Sequence, residues 1–286
     1  MVIVKLMGGL GNQMFQYAAA RVLSKGKIYF DYSFLDNNNI SSENFSARKF
    51  ELHIFCGLKV RQLNSYAKRL LLTTNKKYDT LKFLLPSRLR KVVYITDENI
   101  VDSLKKKHHN SILYLTGYFQ NPTYFNQIRK SLIDEFNFPK LDYKFGLLLI
   151  EIENLNSVAI HIRRGDYLQA NINKYHGVLP ITYYKRAVSY IDERVIDPVY
   201  FIFSDDPTWC AENFTFLENK IIVSDANKAW VDMYLISKCK HQIIANSSFS
   251  WWGAWLNDFN EKIIITPKNW FNSTETNIIP KEWISL

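Results

Sequence analysis

The sequence contains few cysteines and no long apolar run, and each absence excludes a class of protein. Its 3 cysteines are widely spaced and odd in number, which excludes a disulfide framework and zinc-ligand spacing and indicates a reducing compartment. No segment approaches the roughly 18–20 consecutive apolar residues of a membrane-spanning helix. The opening Met1–Met7 is too short and wrongly flanked for a signal peptide, and its pattern predicts a strand. We therefore expect a cytoplasmic protein.

The glycine-rich stretch Met7–Gln13 lacks the signatures of the common nucleotide-binding loops. Met14 takes the place of the third glycine of G-x-G-x-x-G, and the Gly-Lys-Ser/Thr ending of a P-loop is missing. The glycines nevertheless lie between a predicted strand, Val2–Leu6, and a predicted helix, Met14–Leu23, where backbone amides can meet an anionic ligand. The alternative is a tight turn that needs glycine for its geometry alone.

What is present indicates a folded α/β protein. The 286 residues are 47% hydrophobic and 15% aromatic, which excludes a disordered chain and allows two compact domains. In the second half, predicted strands alternate with predicted helices, as in a parallel sheet, and the first half begins in the same way. We therefore predict two Rossmann-like domains facing a central cleft, residues 1–150 and 151–286.

The region between residues 31 and 110 is harder to interpret. Lys59–Leu85 has a helical pattern, and Lys105–Asn110 is predicted to be a polar surface stretch in which His108 and His109 are solvated rather than ligating. Beyond it, Ile112–Tyr118 is predicted to be a strand, and an amphipathic helix is predicted over Pro122–Phe136.

The positive charge of the chain is concentrated in its first half. Residues 1–150 hold 23 Lys and Arg against 11 Asp and Glu, whereas residues 151–286 hold 13 against 16. The ordinary interpretation is a solvated basic face. The functional interpretation is that these basic residues attract an anionic membrane surface or a polyanionic partner.

The second half is organised around one strand end. A buried strand is predicted at Val158–Ile162, and it ends in a polar cluster: His161, Arg163, Arg164 and Asp166. Gly165 gives the backbone the freedom to turn there. One interpretation is a single Arg–Asp pair that closes the strand while the other arginine is solvated. The other is an anion site, since a guanidinium binds phosphate through two parallel hydrogen bonds.

Two further predicted strands of the second half also end in polar residues. One runs into Ser204, Asp205 and Asp206, and the other into Asn246, Ser247 and Ser248. Carboxyl ends of parallel strands share one edge of a sheet, where α/β proteins bind ligands. The serines are either a helix N-cap or a phosphate site. The aspartates either cap the segment at Pro207 or accept hydrogen bonds from a base or ribose.

Four motifs together resemble the bacterial alpha-1,2-fucosyltransferases of glycosyltransferase family 11. They are GGLGNQ at 8–13, HIRRGDY at 161–167, FSDD at 203–206 and NSSFSWWGAWL at 246–256. The likeness extends from residue 3 to about residue 270 and is weakest across 31–110. The arginine motif is shared more loosely with alpha-1,6- and protein O-fucosyltransferases.

The resemblance implies that the protein transfers L-fucose from GDP-β-L-fucose to a galactose 2-hydroxyl, with inversion at the anomeric carbon. It also implies a GT-B-like fold and a reaction that needs no metal ion. No Asp-x-Asp triplet occurs in the sequence, in agreement with the last point. Arg163, in preference to Arg164, would neutralise the leaving diphosphate. Asp205 or Asp206 would contact guanine or ribose, and Ser247, Ser248 and the Phe249 amide would contact phosphate. The other predicted donor contacts are Arg164, Ser204, and Asn12 with the Gly9–Gly11 backbone.

The general base and the acceptor are less defined. Asp166 ranks ahead of His161 as base, and no strong base is needed if GDP departs first. Residues Trp230, Trp251, Trp252 and Trp255 are expected to pack in the core rather than to stack on a sugar. We expect a galactose-containing acceptor of surface polysaccharide (O-antigen) synthesis, lipid-linked or free, with peripheral contact to an anionic membrane.

Three other functions are alternatives to this one. They are a fucosyltransferase of other linkage, a non-catalytic nucleotide-sugar or glycan-binding protein, and a nucleic-acid binder. The last is disfavoured because the basic excess lies away from the strand-end clusters and no nucleic-acid motif is present.

Overall fold

The computed structural model describes residues 1–24, 26–42, 46–72, 81–106, 108, 110–223, 228–272 and 276–286. The chain forms two compact units: an amino-terminal unit of residues 1–40 and 47–137, and a carboxy-terminal unit of residues 41–46 and 138–286. Each unit contains its own parallel sheet with helices. This confirms the predicted α/β class with two Rossmann-like parts.

The amino-terminal sheet has the order β3-β2-β1-β5-β4, and all of its paired strands are parallel. Its strands are β1 Val2–Lys5, β2 Ile28–Asp31, β3 Val60–Gln62, β4 Val92–Ile95 and β5 Ile112–Leu115. Among the described residues of this unit, the α-helices with defined ends are α1 Leu10–Leu23, α2 Ser33–Asn37, α3 Ser65–Leu72, α4 Ile100–Lys105 and α5 Arg129–Glu135, and residues 81–83 are also helical. Short 3₁₀ helices lie at Leu52–Ile54, Ser87–Leu89, Pro122–Tyr124 and Asn126–Ile128.

The carboxy-terminal sheet has the order β11-β10-β9-β6-β7-β8, again with parallel pairs. Its strands are β6 Asn156–Ile162, β7 Pro198–Ser204, β8 Lys220–Val223, β9 His241–Ile243, β10 Ile264–Thr266 and β11 Ile284–Ser285. The α-helices are α6 Tyr143–Asn154, α7 Ala170–His176, α8 Ile181–Asp192, α9 Pro207–Asn213, α10 Ala229–Lys238 and α11 Ser248–Leu256, with a 3₁₀ helix at Asp166–Leu168.

Strand β6 lies inside the sheet and is covered on both faces. Its even-numbered residues Val158, Ile160 and Ile162 pack against α8, while Ala159 faces the opposite side and packs with α6 and α10. This alternation follows from the two-residue period of a strand. A near-continuous apolar run is therefore required here, and it rigidly positions the residues that follow Ile162.

The division between the units differs from the expected one. We predicted a second domain beginning at residue 151, but the second compact unit already includes residues from Phe138 onward. The reason is helix α6, whose Phe145 and Ile152 are buried in the same core cluster as Ala159. The Asp142 carboxylate accepts a hydrogen bond from the Phe145 amide and caps this helix.

Several predicted elements differ in extent from those observed. Helix α1 begins at Leu10 rather than Met14, and the helix predicted over Pro122–Phe136 is two 3₁₀ turns followed by α5. Of the helix predicted over Lys59–Leu85, Ser65–Leu72 is helix α3 and residues 81–83 are helical, but Val60–Gln62 is strand β3; residues 73–80 lie outside the described part of the chain. His109 also lies outside the described residues.

The three cysteines are free thiols; Cys56 is exposed, and Cys210 and Cys239 are buried. Trp251, Trp252 and Trp255 are buried in the carboxy-terminal unit, as expected for core residues. Within the described ranges, no helix combines the length and apolar character needed to cross a membrane.

Candidate active site

The three polar strand ends lie side by side. Strands β9, β6 and β7 are consecutive in the sheet and parallel, with Ile162 paired to Ser204 and Ile160 paired to Ile243. The residues that follow these strands therefore emerge from one edge. The structure brings together the three clusters as the sequence predicted.

Arg163 is held between two carboxylates. Its Nη2 lies 2.6 Å from Asp166 Oδ1 and its Nη1 lies 2.8 Å from Asp205 Oδ2. The guanidinium also lies 5.6 Å from the centre of the Tyr167 ring. The Arg163 side chain retains 24% of its exposure, so this oriented cation can still meet a ligand.

Arg164 is held in a different way. Its guanidinium lies 3.9 Å from the centre of the Trp209 ring, and its Nε lies 3.2 Å from Asp206 Oδ2. A cation against an aromatic face and beside a carboxylate is doubly stabilised. Neither arginine is simply solvated, and a single Arg–Asp pair therefore does not describe this strand end.

The two aspartates after β7 contact the two arginines. Asp205 Oδ1 accepts a hydrogen bond of 2.9 Å from the Arg164 amide, in addition to its contact with Arg163. A Cβ at Gly165 would lie 2.8 Å from Asp205 Oδ2, so the turn needs glycine for this close approach. A contact of either aspartate with guanine or ribose stays a prediction.

Asp206 is the N-cap of α9. Its Oδ1 accepts from the Trp209 amide at 3.2 Å, and its own amide donates to Ser204 Oγ at 3.0 Å. This is the helix cap at Pro207 that the sequence offered as one of two alternatives. Ser204 thus supports the turn that carries both aspartates.

The two general-base candidates have unlike surroundings. Asp166 is engaged with the Arg163 guanidinium. His161 is buried, and burial first, with Arg163 adding to it, lowers the pKa of its imidazole to about 3. Its Nδ1 has no hydrogen-bond partner among the described residues, and its ring lies 5.5 Å from that of Phe249. An imidazole with so low a pKa is poorly matched to general-base catalysis near neutral pH.

The third strand end forms the start of α11. Ser247 is the N-cap, and its hydroxyl accepts a hydrogen bond of 3.3 Å from the Phe249 amide. The Asn246 amide group donates to the carbonyls of His176 and Gly177, at 2.7 and 3.3 Å. Ser248 is the first residue of the helix and is partly exposed. The N-cap alternative is therefore confirmed for Ser247, while phosphate contacts of Ser247, Ser248 and Phe249 stay predictions.

Removing this cap should destabilise the protein. We expect Ser247→Ala to lower the free energy of unfolding by about 1 kcal/mol, because the Phe249 amide loses its acceptor. Denaturant unfolding measures this difference. Ser189, an exposed serine inside α8, is the matched control, and its replacement by alanine should leave stability unchanged or slightly higher. Equal losses for the two variants would contradict the cap assignment.

In the amino-terminal unit the glycine-rich stretch is a braced turn. Gly8 has φ +72°, and a Cβ there would collide with the Asn12 side chain. The Glu51 carboxylate lies beside the start of α1, with its Oε2 3.5 Å from the position that a Cβ at Gly9 would take. Burial raises the pKa of Glu51, and Arg48 and the Leu10 amide oppose that rise. Thus an internal carboxylate already occupies part of the helix start at which we predicted a donor contact.

The predicted donor contacts of this unit lie around that turn. Gly9 is the N-cap of α1, whereas Gly11 and Asn12 lie inside the helix. Asn12 Oδ1 accepts a hydrogen bond of 2.8 Å from Gln120 Nε2, which follows β5. Contacts of these residues with a donor stay predictions.

Two residues of the site, Tyr167 and Trp209, were given no role by the sequence. The Tyr167 hydroxyl donates to the Asn246 carbonyl at 3.1 Å and so joins the ends of β6 and β9. Trp209 carries Arg164. Asp232, in the first turn of α10, also had no predicted role; its buried Oδ1 has no hydrogen-bond partner in the described structure, and burial raises its pKa to about 7. The sequence carries no signal for Asp232, since an acidic residue in a first helical turn is ordinary.

Within the described part of the chain, no three His, Cys, Asp or Glu side chains group so as to hold a metal ion.

The sequence pattern of glycosyl transferase family 11 matches residues 1–286. The chain belongs to glycosyltransferase family 11. This confirms the family that the four motifs indicated, and it makes the protein a glycosyltransferase rather than a non-catalytic binding protein.

Two full-length relatives of this family 11 chain come from Escherichia coli. The O-antigen biosynthesis glycosyltransferase WbnK is 35% identical over 312 aligned residues, covering 98% of this chain and 99% of WbnK. An alpha-1,2-colitosyltransferase is 34% identical over 307 residues, covering 100% of this chain and 98% of that protein. The human galactoside alpha-(1,2)-fucosyltransferase 1 is 32% identical over 103 residues, which are 35% of this chain and 28% of the human protein.

Solved structures similar to the family 11 chain are more distant in sequence. The fucosyltransferase NodZ from Bradyrhizobium has a TM-score of 0.48 and 10% identity, covering 88% of this chain and 91% of NodZ. The E. coli heptosyltransferase WaaC with ADP has a TM-score of 0.41 and 9% identity, covering 99% of this chain and 92% of WaaC.

Proposed function

We propose that this family 11 glycosyltransferase transfers L-fucose from GDP-β-L-fucose to the 2-hydroxyl of a galactoside, with inversion at the anomeric carbon. The observation that carries the proposal is the Arg163 guanidinium, which two carboxylates hold at a strand end of the sheet that also leads into α11. The alpha-1,2 linkage is supported by the names of the relatives, and a role in surface polysaccharide synthesis by the name of WbnK.

The proposed chemistry follows from where charge develops. Cleavage of the glycosidic bond passes through an oxocarbenium-like state, and negative charge grows on the departing diphosphate. An oriented guanidinium stabilises that charge more in the transition state than in the ground state. The first amides of α11, at Ser248 and Phe249, lie at the positive end of the helix dipole and would add to the effect. We propose that fixed cations and amides carry this charge without a divalent ion.

The proton of the acceptor hydroxyl must also leave. Asp166 is our candidate for accepting it, although its contact with Arg163 shows that it also orients the cation. His161 is the weaker base because burial keeps its pKa low. If departure of GDP leads the reaction, the acceptor attacks a strongly electrophilic sugar, and a weakly basic carboxylate is sufficient.

A second donor is favoured by one specific observation. The alpha-1,2-colitosyltransferase matches the full length of this chain at 34% identity, close to the 35% of WbnK. Colitose is L-fucose without the 3-hydroxyl, so the same diphosphate site would serve GDP-colitose. Discrimination between GDP-fucose and GDP-colitose would then depend on whether a polar side chain of the enzyme binds the 3-hydroxyl of fucose.

The test is a donor comparison in the presence of EDTA. The enzyme is incubated with lactose and either GDP-fucose or GDP-colitose, and the product linkage is read by NMR. We expect an alpha-1,2-fucosylated lactose and an equivalent amount of GDP, with no effect of EDTA. Turnover of GDP-colitose alone would replace the proposed donor with the second candidate. Loss of activity with EDTA, restored by magnesium, would contradict the metal-free mechanism.

The natural acceptor is proposed from the same relative. The name of WbnK places that protein in O-antigen biosynthesis, and we propose a galactoside of such a polysaccharide, carried on a lipid, as the acceptor here. A panel of galactosides that differ in the sugar beneath galactose tests this choice.

A further inference from the structure

The amino-terminal unit exposes large apolar side chains in one short segment. Leu81, Phe83 and Leu84 are exposed by 49%, 72% and 80%. The segment itself is anchored, because the neighbouring Leu85 and Leu89 pack against the core cluster that covers the sheet. Single exposed apolar residues are ordinary, but adjacent ones on a folded surface mark an interaction site.

Basic residues surround these apolar side chains. Residues 59–91 hold 10 Lys and Arg and a single acidic residue, Asp79. Arg88, Arg90 and Lys91 are exposed, and the Arg90 guanidinium lies 4.9 Å from the centre of the Phe83 ring. We call Leu81, Phe83, Leu84, Arg88, Arg90 and Lys91 the apolar–basic patch.

We propose that the apolar–basic patch docks this protein onto the surface of a membrane that contains anionic lipid. The three apolar side chains would enter the boundary between headgroups and acyl chains, and the basic residues would contact lipid phosphates. Long basic side chains suit this position because their aliphatic stems reach along apolar material while the charges remain at the headgroups.

Two other occupants fit the patch less well. A second copy would bring one positive surface against another, with like charges opposed. A nucleic acid would satisfy the arginines but would leave the leucine side chains without an apolar partner, since its backbone is charged. An anionic bilayer supplies both phosphates and hydrocarbon at one surface.

The experiment is co-sedimentation of the full chain with phospholipid vesicles. Vesicles of phosphatidylcholine doped with phosphatidylglycerol are compared with vesicles of pure phosphatidylcholine. Three forms are tested: the natural chain, the pair Phe83→Ser with Leu84→Ser, and the pair Arg88→Glu with Lys91→Glu. Arg88 and Lys91 suit charge reversal because both side chains are exposed.

The matched control replaces apolar residues that are equally exposed elsewhere. Ile196 and Ile150, of the carboxy-terminal unit, are exposed by 80% and 56%. Changing both to serine removes exposed apolar surface without touching the apolar–basic patch. Transfer of sugar to free lactose is measured for every variant, because it should not depend on the patch and so reports folding separately from docking.

We expect the natural chain and the Ile196/Ile150 control to bind the anionic vesicles and not the neutral ones. Each basic residue at an anionic surface contributes about fivefold to binding, so loss of two should weaken the binding of the charge-reversal pair by about 25-fold, and the added glutamates should weaken it further. The serine pair should lose about tenfold or more. Equal binding by all forms, no vesicle binding at all, or self-association that only the patch variants lose would each overturn the proposal.

Discussion

Replacing Arg163 with alanine is expected to lower the rate of sugar transfer by about 10²–10³-fold. The guanidinium is the cation that Asp166 and Asp205 orient at the strand end. Without it, the charge of the departing diphosphate is left to the amides at the start of α11. The fold should survive, because Asp166 and Asp205 retain 15% and 25% exposure and can be solvated once unpaired.

Two companion variants make this test specific. Arg194→Ala removes an arginine of the same unit that likewise contacts a carboxylate and an aromatic ring, Glu193 and Tyr190, and it should leave transfer unchanged. Arg163→Lys keeps the charge but loses the planar fork, so it should recover only part of the rate. Near-normal turnover by Arg163→Ala, measured with saturating donor, would refute the role assigned to this residue.

The second large effect is expected from Asp205→Asn, which should lower the rate of transfer by about 10²-fold through misplacement of Arg163. The amide oxygen can still accept from the Arg164 backbone at the position of Oδ1. The amide nitrogen, however, then faces Arg163 Nη1, where the carboxylate now makes a contact of 2.8 Å. Because two hydrogen-bond donors, the new amide nitrogen and Arg163 Nη1, then face each other, the Arg163 guanidinium is displaced.

Asp206→Asn is the matched comparison for this variant. Asp206 pairs with Arg164 and caps α9, so its change should be seen mainly as a loss of stability of about 1 kcal/mol or less. Steady-state rates and denaturant unfolding are measured for both variants. The assignment fails if Asp206→Asn loses as much rate as Asp205→Asn at equal stability.

The local features of the carboxy-terminal unit could be predicted because their signals are local. The run Val158–Ile162 is apolar and rich in β-branched residues, and it is a buried strand. The three polar clusters follow from it, since parallel strands place their carboxyl ends on one edge. The N-cap at Ser247 could also be predicted locally, because an N-cap serine is recognised from the residues that follow it.

The remaining features depend on residues distant in sequence. The turn at Gly8 is completed by Glu51, more than one secondary-structure element away, and no pattern in residues 8–13 announces that carboxylate. The position of Arg164 over Trp209 depends on how β7 turns into α9. Strands β2 and β4 are too short for a periodicity to identify them. The observed boundary between the units differs from the predicted one because α6 has an apolar face that its charged C-terminal end obscures.

A structure of the protein with GDP bound tests the central claim most directly. The account predicts diphosphate oxygens within about 3 Å of the Arg163 guanidinium and of the amides at the start of α11, with no divalent ion bridging them. A diphosphate bound far from residues 161–167 and 246–249, or held through a metal ion, would contradict it.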